Sequence, residues 1–371
     1  MKVTEMKRDH HGRTGIRARG RGAPRDTWIA VSDVGPESMG AFAHFDFKVA
    51  QLRRLLGPPR ATFDLGGSWT RAACMIARAA AAALRRPLLY VRLAPRTLPL
   101  VGLWVLIGAP CVAEINGFFV EDHRFPVTRA PMNWVLRQIG RSRRIVVLGD
   151  LGYMGYAREI FGKEVRWTTV PLPARVVPGV GRGDPRRCVR YVGTLSQWQG
   201  LESLIASWQL LRPSGWTLEI AGSGPSREAL EAVALARDVV VRFLGPVSGD
   251  DYWETLQTAG VLVAPYEARR GAGSPISSLK GVDYCLTDRP VVLADRDSLV
   301  QELRLGAEDL VFATGTRTAP LCDALEDAIA AAEVGCSAPD RMDRVVRARG
   351  IDAVDHALRN ALANFATGAA A

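Results

Sequence analysis

The sequence predicts an α/β protein built as two similar halves. Short apolar runs alternate with helical stripes along most of the chain, the pattern of strand–helix–strand units around a parallel sheet. The alternation breaks once, at Pro171 to Pro185, where glycine and proline crowd together as they do in linkers. The chain has 371 residues, and at roughly 150 residues per domain that length suits two domains.

In the first half, Thr27 to Ser32 reads as an apolar strand, and Asp33 to Gly40 as a glycine-containing loop. A helix follows, with Phe42, Phe45, Val49, Leu52 and Leu56 on one stripe. The alternation then runs through strands at 61–64, 87–91, 111–115, 144–148 and 165–170. Helices are expected at 69–84, 95–107, 133–140 and 154–161. Leu98 to Ala113 is the most apolar run. It is too short for a comfortable membrane span and is cut by Gly102, Gly108 and Pro110, so it reads as a core helix entering a strand.

The second half repeats the pattern. Strands are expected at 188–192, 216–221, 239–244, 260–265, 289–293 and 309–312. Helices are expected at 200–211, 226–236, 250–259, 298–303 and 320–332. A last helix carries Ile351, Val354, Leu358, Leu362 and Phe365 on one face. Crossovers between parallel strands are right-handed, which leaves the strand C-terminal ends facing a cleft where such sheets bind ligands.

The formal charge is +10. Part of it lies in residues 1–26, with eight lysines and arginines against three acidic residues and few large apolar ones. This segment is expected to be a disordered basic arm, with attraction to an anionic membrane surface as its functional reading and an unselected extension as the bland one. No aromatic-interleaved basic patch points to nucleic acid. The six cysteines form no Cys-x-x-Cys pair, and free thiols in a reducing cytoplasm are expected. The five histidines have no zinc-site spacing. Gly222-Ser223-Gly224 starts like a dinucleotide fingerprint, but Arg227 stands at the third glycine position, so a tight turn is the better reading. There is no P-loop and no nucleophile elbow.

The most informative stretch is Gly271 to Ala294, GAGSPISSLKGVDYCLTDRPVVLA. A small-residue loop with open backbone N–H groups precedes a short helix on which Lys280, Asp283 and Tyr284 are three and four apart. Loop amides and a lysine favour phosphate, and a carboxylate one turn on accepts sugar hydroxyls. Phosphate plus ribose points to a nucleotide. Elsewhere, Tyr191 to Gly200 reads as a phosphate-facing loop, Arg242 to Ser248 as a strand exit near a base, and Glu114-Ile-Asn-Gly117 as a polar strand end suited to an acceptor.

Together these segments resemble the retaining group-one, family 4 type glycosyltransferases of the GT-B fold. The resemblance rests on YVGTLSQWQGLESLIASW (191–208), LEIAGSGP (218–225), VRFLGPVSGDDYWETLQTAGVLVAPY (241–266) and SSLKGVDYCLTDRPVV (277–292). YVRLAP (90–95) and CVAEINGFFVEDHR (111–124) resemble the polysaccharide-assembly branch. The resemblance implies two Rossmann-like domains facing a cleft, with the C-terminal helix crossing back to the N-terminal domain. The expected division is 1–26 arm, 27–170 acceptor domain, 171–187 linker, 188–345 donor domain, and 346–371 helix and tail.

By the same resemblance, Lys280 would hold the donor diphosphate and Asp283 the ribose. Gly40, Gly193, Ser196, Gly273 and Ser274 would line the phosphates, and Gly245 and Val247 the base. Glu114, Asn116, Glu121 and His123 would face the acceptor, with Lys280, Glu114 and Glu121 as catalytic candidates. The implied activity is metal-independent, retaining transfer from a nucleotide-diphosphate sugar such as a UDP-sugar. The acceptor would be a hydroxyl of a glycan, a lipid-linked molecule or a natural product. No cofactor is expected beyond the donor, and the expected location is the cytoplasm or the inner membrane surface. The chain departs from the family pattern at Thr194 and Gln199, where cations are usual, and at Pro275, where a glutamate is usual. These departures keep open a catalytically weak partner of another transferase. A nucleotide-sugar epimerase is the other alternative.

Overall fold

The structure is a computed structural model and describes residues 28–32, 39–65, 69–83, 85–116, 129–175, 185–266, 278–314 and 318–368. The expected basic arm lies outside these residues, as do the side chains of Phe42 and Phe365.

The first half contains β1 (Trp28–Ser32), α1 (Met39–Leu56), β2 (Ala61–Asp64), α2 (Trp69–Ala83), β3 (Leu88–Arg92), α3 (Leu98–Leu106), β4 (Cys111–Ile115), α4 (Arg129–Arg141), β5 (Ile145–Gly149), α5 (Met154–Phe161) and β6 (Trp167–Thr169). Its strands form one parallel sheet in the order β2-β1-β3-β4-β5-β6. The second half contains β7 (Cys188–Val192), α6 (Leu201–Leu211), β8 (Thr217–Ala221), α7 (Arg227–Ala236), β9 (Val241–Gly245), α8 (Gly249–Gln257), β10 (Val261–Ala264), α9 (Leu279–Cys285), β11 (Val291–Ala294), α10 (Ser298–Leu303), β12 (Val311–Thr314) and α11 (Thr318–Glu333). Its sheet is also parallel, in the order β12-β11-β10-β7-β8-β9.

Helices cover both faces of each sheet, so the central strands are buried on both sides and read as unbroken apolar runs. Every residue of β1, β4, β5, β7, β10 and β11 is buried. The six cysteines are free thiols. Among the described residues, no helix is long and apolar enough to cross a membrane.

Two helices end the chain, α12 (Pro339–Arg349) and α13 (Ile351–Gly368). As expected, the last one crosses back. Val354, Ala357, Leu358 and Ala361 pack with Phe45, Val49 and Leu52 of α1 over Trp28, Tyr90, Val112 and Val146 of the first sheet. Ile351 does not share that face, being 42% exposed beside the break at Gly350. Helix α12 has no counterpart in the sequence reading, because its inward face is Arg341, Val345 and Arg349 rather than an apolar stripe. The Arg341 guanidinium is fully buried and donates to the carbonyls of Cys285, Thr287, Arg289, Asp309 and Leu310.

The halves meet at Asp150, just past β5 and buried. Its carboxylate accepts from the Leu172 N–H at 3.0 Å, from the Ser298 hydroxyl at 3.0 Å and from the Arg349 guanidinium. Arg349 also pairs with Glu302, and its carbonyl accepts from the Ala174 N–H at 2.7 Å. The joint therefore ties the first sheet, the linker, α10 and the end of α12 to one another.

Candidate active site

In a doubly wound sheet, ligands bind where neighbouring strands send their connections to opposite sides. In the second sheet that crevice lies between β7 and β10. The chain leaves β7 through Gly193 and leaves β10 through Pro265 and Tyr266, and α9 returns to the same place. The Tyr284 hydroxyl fastens α9 there. It receives the Val192 N–H at 2.8 Å and donates to the Val192 carbonyl at 2.9 Å. Ser278 caps α9, accepting from the Gly281 N–H at 3.3 Å and bonding the Tyr266 hydroxyl.

Lys280 sits over this crevice in an aromatic box. Its ammonium lies 5.2 Å from the ring centroid of Tyr266, 5.5 Å from Tyr191 and 5.6 Å from Trp198. Trp198 stacks on Tyr266 at 6.0 Å and 17°, and it is 43% exposed while both tyrosines are buried. The lysine stem crosses Gly193, where an added Cβ would stand 2.7 Å from Lys280 Cδ. Only a residue without a side chain leaves that path open. Burial draws the Lys280 pKa down to about 7, against the Asp297 carboxylate, which pulls it upward. Tyr266 has φ +34, a strained conformation for a non-glycine residue at a site.

Two departures from the expected pattern lie in the segment that carries Tyr191 and Trp198. Thr194 is exposed, and its carbonyl accepts from the Tyr191 hydroxyl at 2.7 Å. Gln199 is buried and reaches Ser196 Oγ at 3.4 Å. The rings of Tyr191, Trp198 and Tyr266 are what surround Lys280. Sequence reasoning missed this box, although its three aromatic residues all lie within the segments that carry the resemblance. Gly222 and Gly224 are where two loops cross: added Cβ atoms would collide with the carbonyls of Gly193 and Leu195 at 1.8 and 2.3 Å. They form a turn, not a dinucleotide fingerprint.

Asp283 lies three residues beyond Lys280 and is 1% exposed. Its Oδ2 accepts from the Tyr252 hydroxyl of α8 at 2.8 Å and from the Arg175 guanidinium of the linker. Its Oδ1 is buried and has no partner among the described residues. Burial raises its pKa, and Arg175 and Tyr252 oppose that rise. Arg175 and Tyr252 were not singled out from sequence. Gly245 ends β9 with φ +80, its carbonyl accepting from the Gly222 N–H at 2.6 Å, and Val247 packs half-buried on the same core cluster as Tyr252. Gly40 lies in the first turn of α1, following β1 at the first sheet's own switch point between β1 and β3. Gly273, Ser274 and Pro275 lie outside the described residues.

On the expected acceptor side, Glu114 needs correction. It was expected at an open strand end, but its side chain is 0% exposed. One oxygen accepts from Lys48 of α1 and the other from the Tyr90 hydroxyl of β3. The physical reason is Lys48, which lies on the apolar stripe of α1 between Phe45 and Leu52 and requires a buried counter-charge. Asn116 does have a free amide: its nitrogen and oxygen are buried without partners among the described residues. Glu121 and His123 lie outside those residues. No group of three or more His, Cys, Asp or Glu side chains among the described residues is placed to hold a metal ion.

The family model described as glycosyl transferases group 1 matches residues 186–331, which run from β7 through most of α11. Those residues are similar to the group 1 glycosyl transferases over the whole of that model match. No curated protein matches the chain. Among solved structures, HepE of Anabaena in complex with UDP has a TM-score of 0.68 at 15% identity, over 91% of this chain and 99% of that one. The same protein with UDP-glucose gives 0.63 at 14%, over 91% and 99%. The lipopolysaccharide outer core galactosyltransferase WaaB gives 0.59 at 12%, over 91% and 99%. The residues that match the family model thus form the second half of a two-sheet fold of the GT-B kind, and the β7/β10 crevice there holds Lys280.

Proposed function

We propose that this chain is a retaining glycosyltransferase that takes a UDP-sugar and transfers the sugar to a hydroxyl of a glycan, a lipid-linked molecule or a natural product. The observation that carries the reading is Lys280 in its aromatic box at the switch point of the sheet that matches the group 1 glycosyl transferase model. HepE, a structural neighbour, is described with UDP and with UDP-glucose, which supports a UDP donor.

Negative charge grows on the departing diphosphate as the anomeric bond breaks. A fixed cation there stabilises the transition state more than the ground state. The box supplies that cation in a poorly hydrated setting, where its attraction for phosphate is stronger than in water. An arriving diphosphate would favour the ammonium form, so donor binding would charge Lys280. Asp283 Oδ1 would accept from a ribose hydroxyl. Attack from the face that the leaving group vacates retains configuration, with the departing phosphate taking the acceptor's proton. This route requires no carboxylate pair of the glycosidase kind. Asn116 would meet the acceptor across the cleft.

A thermal-shift screen of UDP-, GDP-, TDP- and ADP-linked sugars tests the donor, since a ligand bound to the folded state raises the melting temperature by mass action. UDP-sugars are expected to stabilise most, and an equal response to all four would overturn the choice of base. Lys280→Ala is expected to reduce transfer by about a hundredfold or more, the scale of removing one preorganised donor to a developing charge. Transfer near the wild-type rate would remove Lys280 from the mechanism. A catalytically weak partner is the second reading, motivated by Thr194, Gln199 and Pro275. It predicts nucleotide release from UDP-sugars only when another transferase is present. The basic arm would hold the enzyme near an anionic surface. Deleting residues 1–26 is expected to reduce low-salt binding to anionic vesicles, and unchanged binding would remove that part of the proposal.

A further inference from the structure

The linker reaches into the donor site through one side chain. Between its bonds to the interdomain joint, Leu172 N–H to Asp150 and Ala174 N–H to Arg349, and the start of the second domain stands Arg175. Its guanidinium crosses to α9 and pairs with Asp283, a residue 108 positions away. It also lies 5.8 Å from the ring centroid of Tyr252 and 5.7 Å from that of Trp253.

The pair is incomplete. Arg175 and Tyr252 both bond the same carboxylate oxygen, Oδ2. Oδ1 of Asp283 and Nε of Arg175 are each buried without a partner among the described residues. A buried carboxylate is well satisfied when both of its oxygens accept hydrogen bonds. The same domain shows how a permanent pair looks. Arg190 gives Nε at 2.8 Å and Nη2 to Oε2 of Glu219, Arg242 fills Oε1 at 2.9 Å, and Arg190 Nη1 bonds the Thr255 carbonyl and, at 2.9 Å, Thr258 Oγ1, so neither carboxylate oxygen is left over. Both side chains of that pair are 2% exposed. Arg175 is 27% exposed against 1% for Asp283, so the arginine has a route into water that the carboxylate lacks. Buried groups left without partners cost free energy, and a ligand hydroxyl at Oδ1 would recover part of it.

We infer that Arg175 is a gate on the donor site: it covers Asp283 while the site is empty, and the nucleotide's ribose displaces it. The inference rests on the reading of Asp283 as the ribose-binding carboxylate. Its consequence is mechanical. Arg175 follows directly on the segment bonded to Asp150 and Arg349, so its release loosens the linker at the joint between the two halves. Coupling of this kind is reciprocal. A donor that frees Arg175 favours the rearranged joint, and a rearranged joint favours the donor.

The test is calorimetric titration of UDP into the full-length chain and its variants Arg175→Ala, Asp283→Ala and the double variant, each first shown by melting to be folded. Arg175→Ala is expected to bind UDP more tightly, on the order of fivefold or more. That gain should vanish when Asp283 is also alanine. If Asp283→Ala weakens UDP and Arg175→Ala leaves affinity unchanged or lower, Arg175 only positions the carboxylate. The gate is then wrong while the ribose reading stands. If Asp283→Ala binds UDP as the wild type does, the ribose reading fails and the gate falls with it. A measurement on the unaltered protein adds an independent check. Amide hydrogen exchange at Leu172 and Ala174 is expected to speed up when UDP binds, and unchanged or slower exchange would overturn the inference.

Discussion

Two buried carboxylates, one in each half, each meet one cation and one tyrosine and differ in how they use them. Glu114 meets a lysine on one oxygen and a tyrosine on the other. Asp283 meets an arginine and a tyrosine on a single oxygen, and its second oxygen is left over. The cation of Glu114 is 0% exposed and comes from a helix of the same domain, whereas that of Asp283 is 27% exposed and comes from the linker. The first arrangement holds α1 onto its sheet. The second leaves an acceptor in reserve beside Lys280. Type of residue and position at a strand or helix end suggest ligand binding for both, and the count of occupied oxygens is what separates them.

The comparison breaks most visibly through stability. Lys48→Met leaves the Glu114 carboxylate buried without its cation and is expected to cost about 3–5 kcal/mol, read from denaturant unfolding. Replacing both, Lys48→Met with Glu114→Gln, should return part of that loss, because no buried charge remains. A loss under about 1 kcal/mol in the single variant would mean that the pair is not the strut described here.

A smaller effect sharpens the other side of the comparison. Burial draws Lys280 down to about 7, so the free enzyme sheds this ammonium as pH rises through that value. kcat/KM is therefore expected to fall above about pH 7. The limb in kcat should lie at higher pH, since bound diphosphate favours the charged form. In Trp198→Ala, water enters the box and the kcat/KM limb should move upward. A limb that stays in place would show that the rings do not set the lysine's ionisation. The sign for folding is opposite to that of a paired lysine. Between about 7 and the ordinary lysine value the unfolded chain binds more protons, so this residue adds stability as pH rises.

Much of the architecture was legible because parallel strands covered on both faces must be apolar throughout. Strands such as Cys111–Ile115 and Cys188–Val192 begin and end where the sequence places them. Helix α12 was illegible for the complementary reason: its buried face is largely arginine, held by carbonyl groups rather than by apolar contacts. Lys280 and Asp283 were legible from spacing and family resemblance. Their surroundings were not. Arg175 and Tyr252 reach Asp283 from 108 and 31 residues away, distances that no local pattern spans. Lys48 left a signal that went unused, a lysine on the apolar stripe of α1, and that stripe would have paired Glu114 before any ligand was considered.

The central claim is that Asp283, not Glu114, carries ligand, and titration of UDP into the wild type and Asp283→Ala tests it most directly. A hydrogen bond to a charged group contributes about 1.5–3 kcal/mol, so the variant is expected to bind UDP roughly tenfold or more weakly while remaining folded. Equal affinity for UDP in the two proteins would contradict the account.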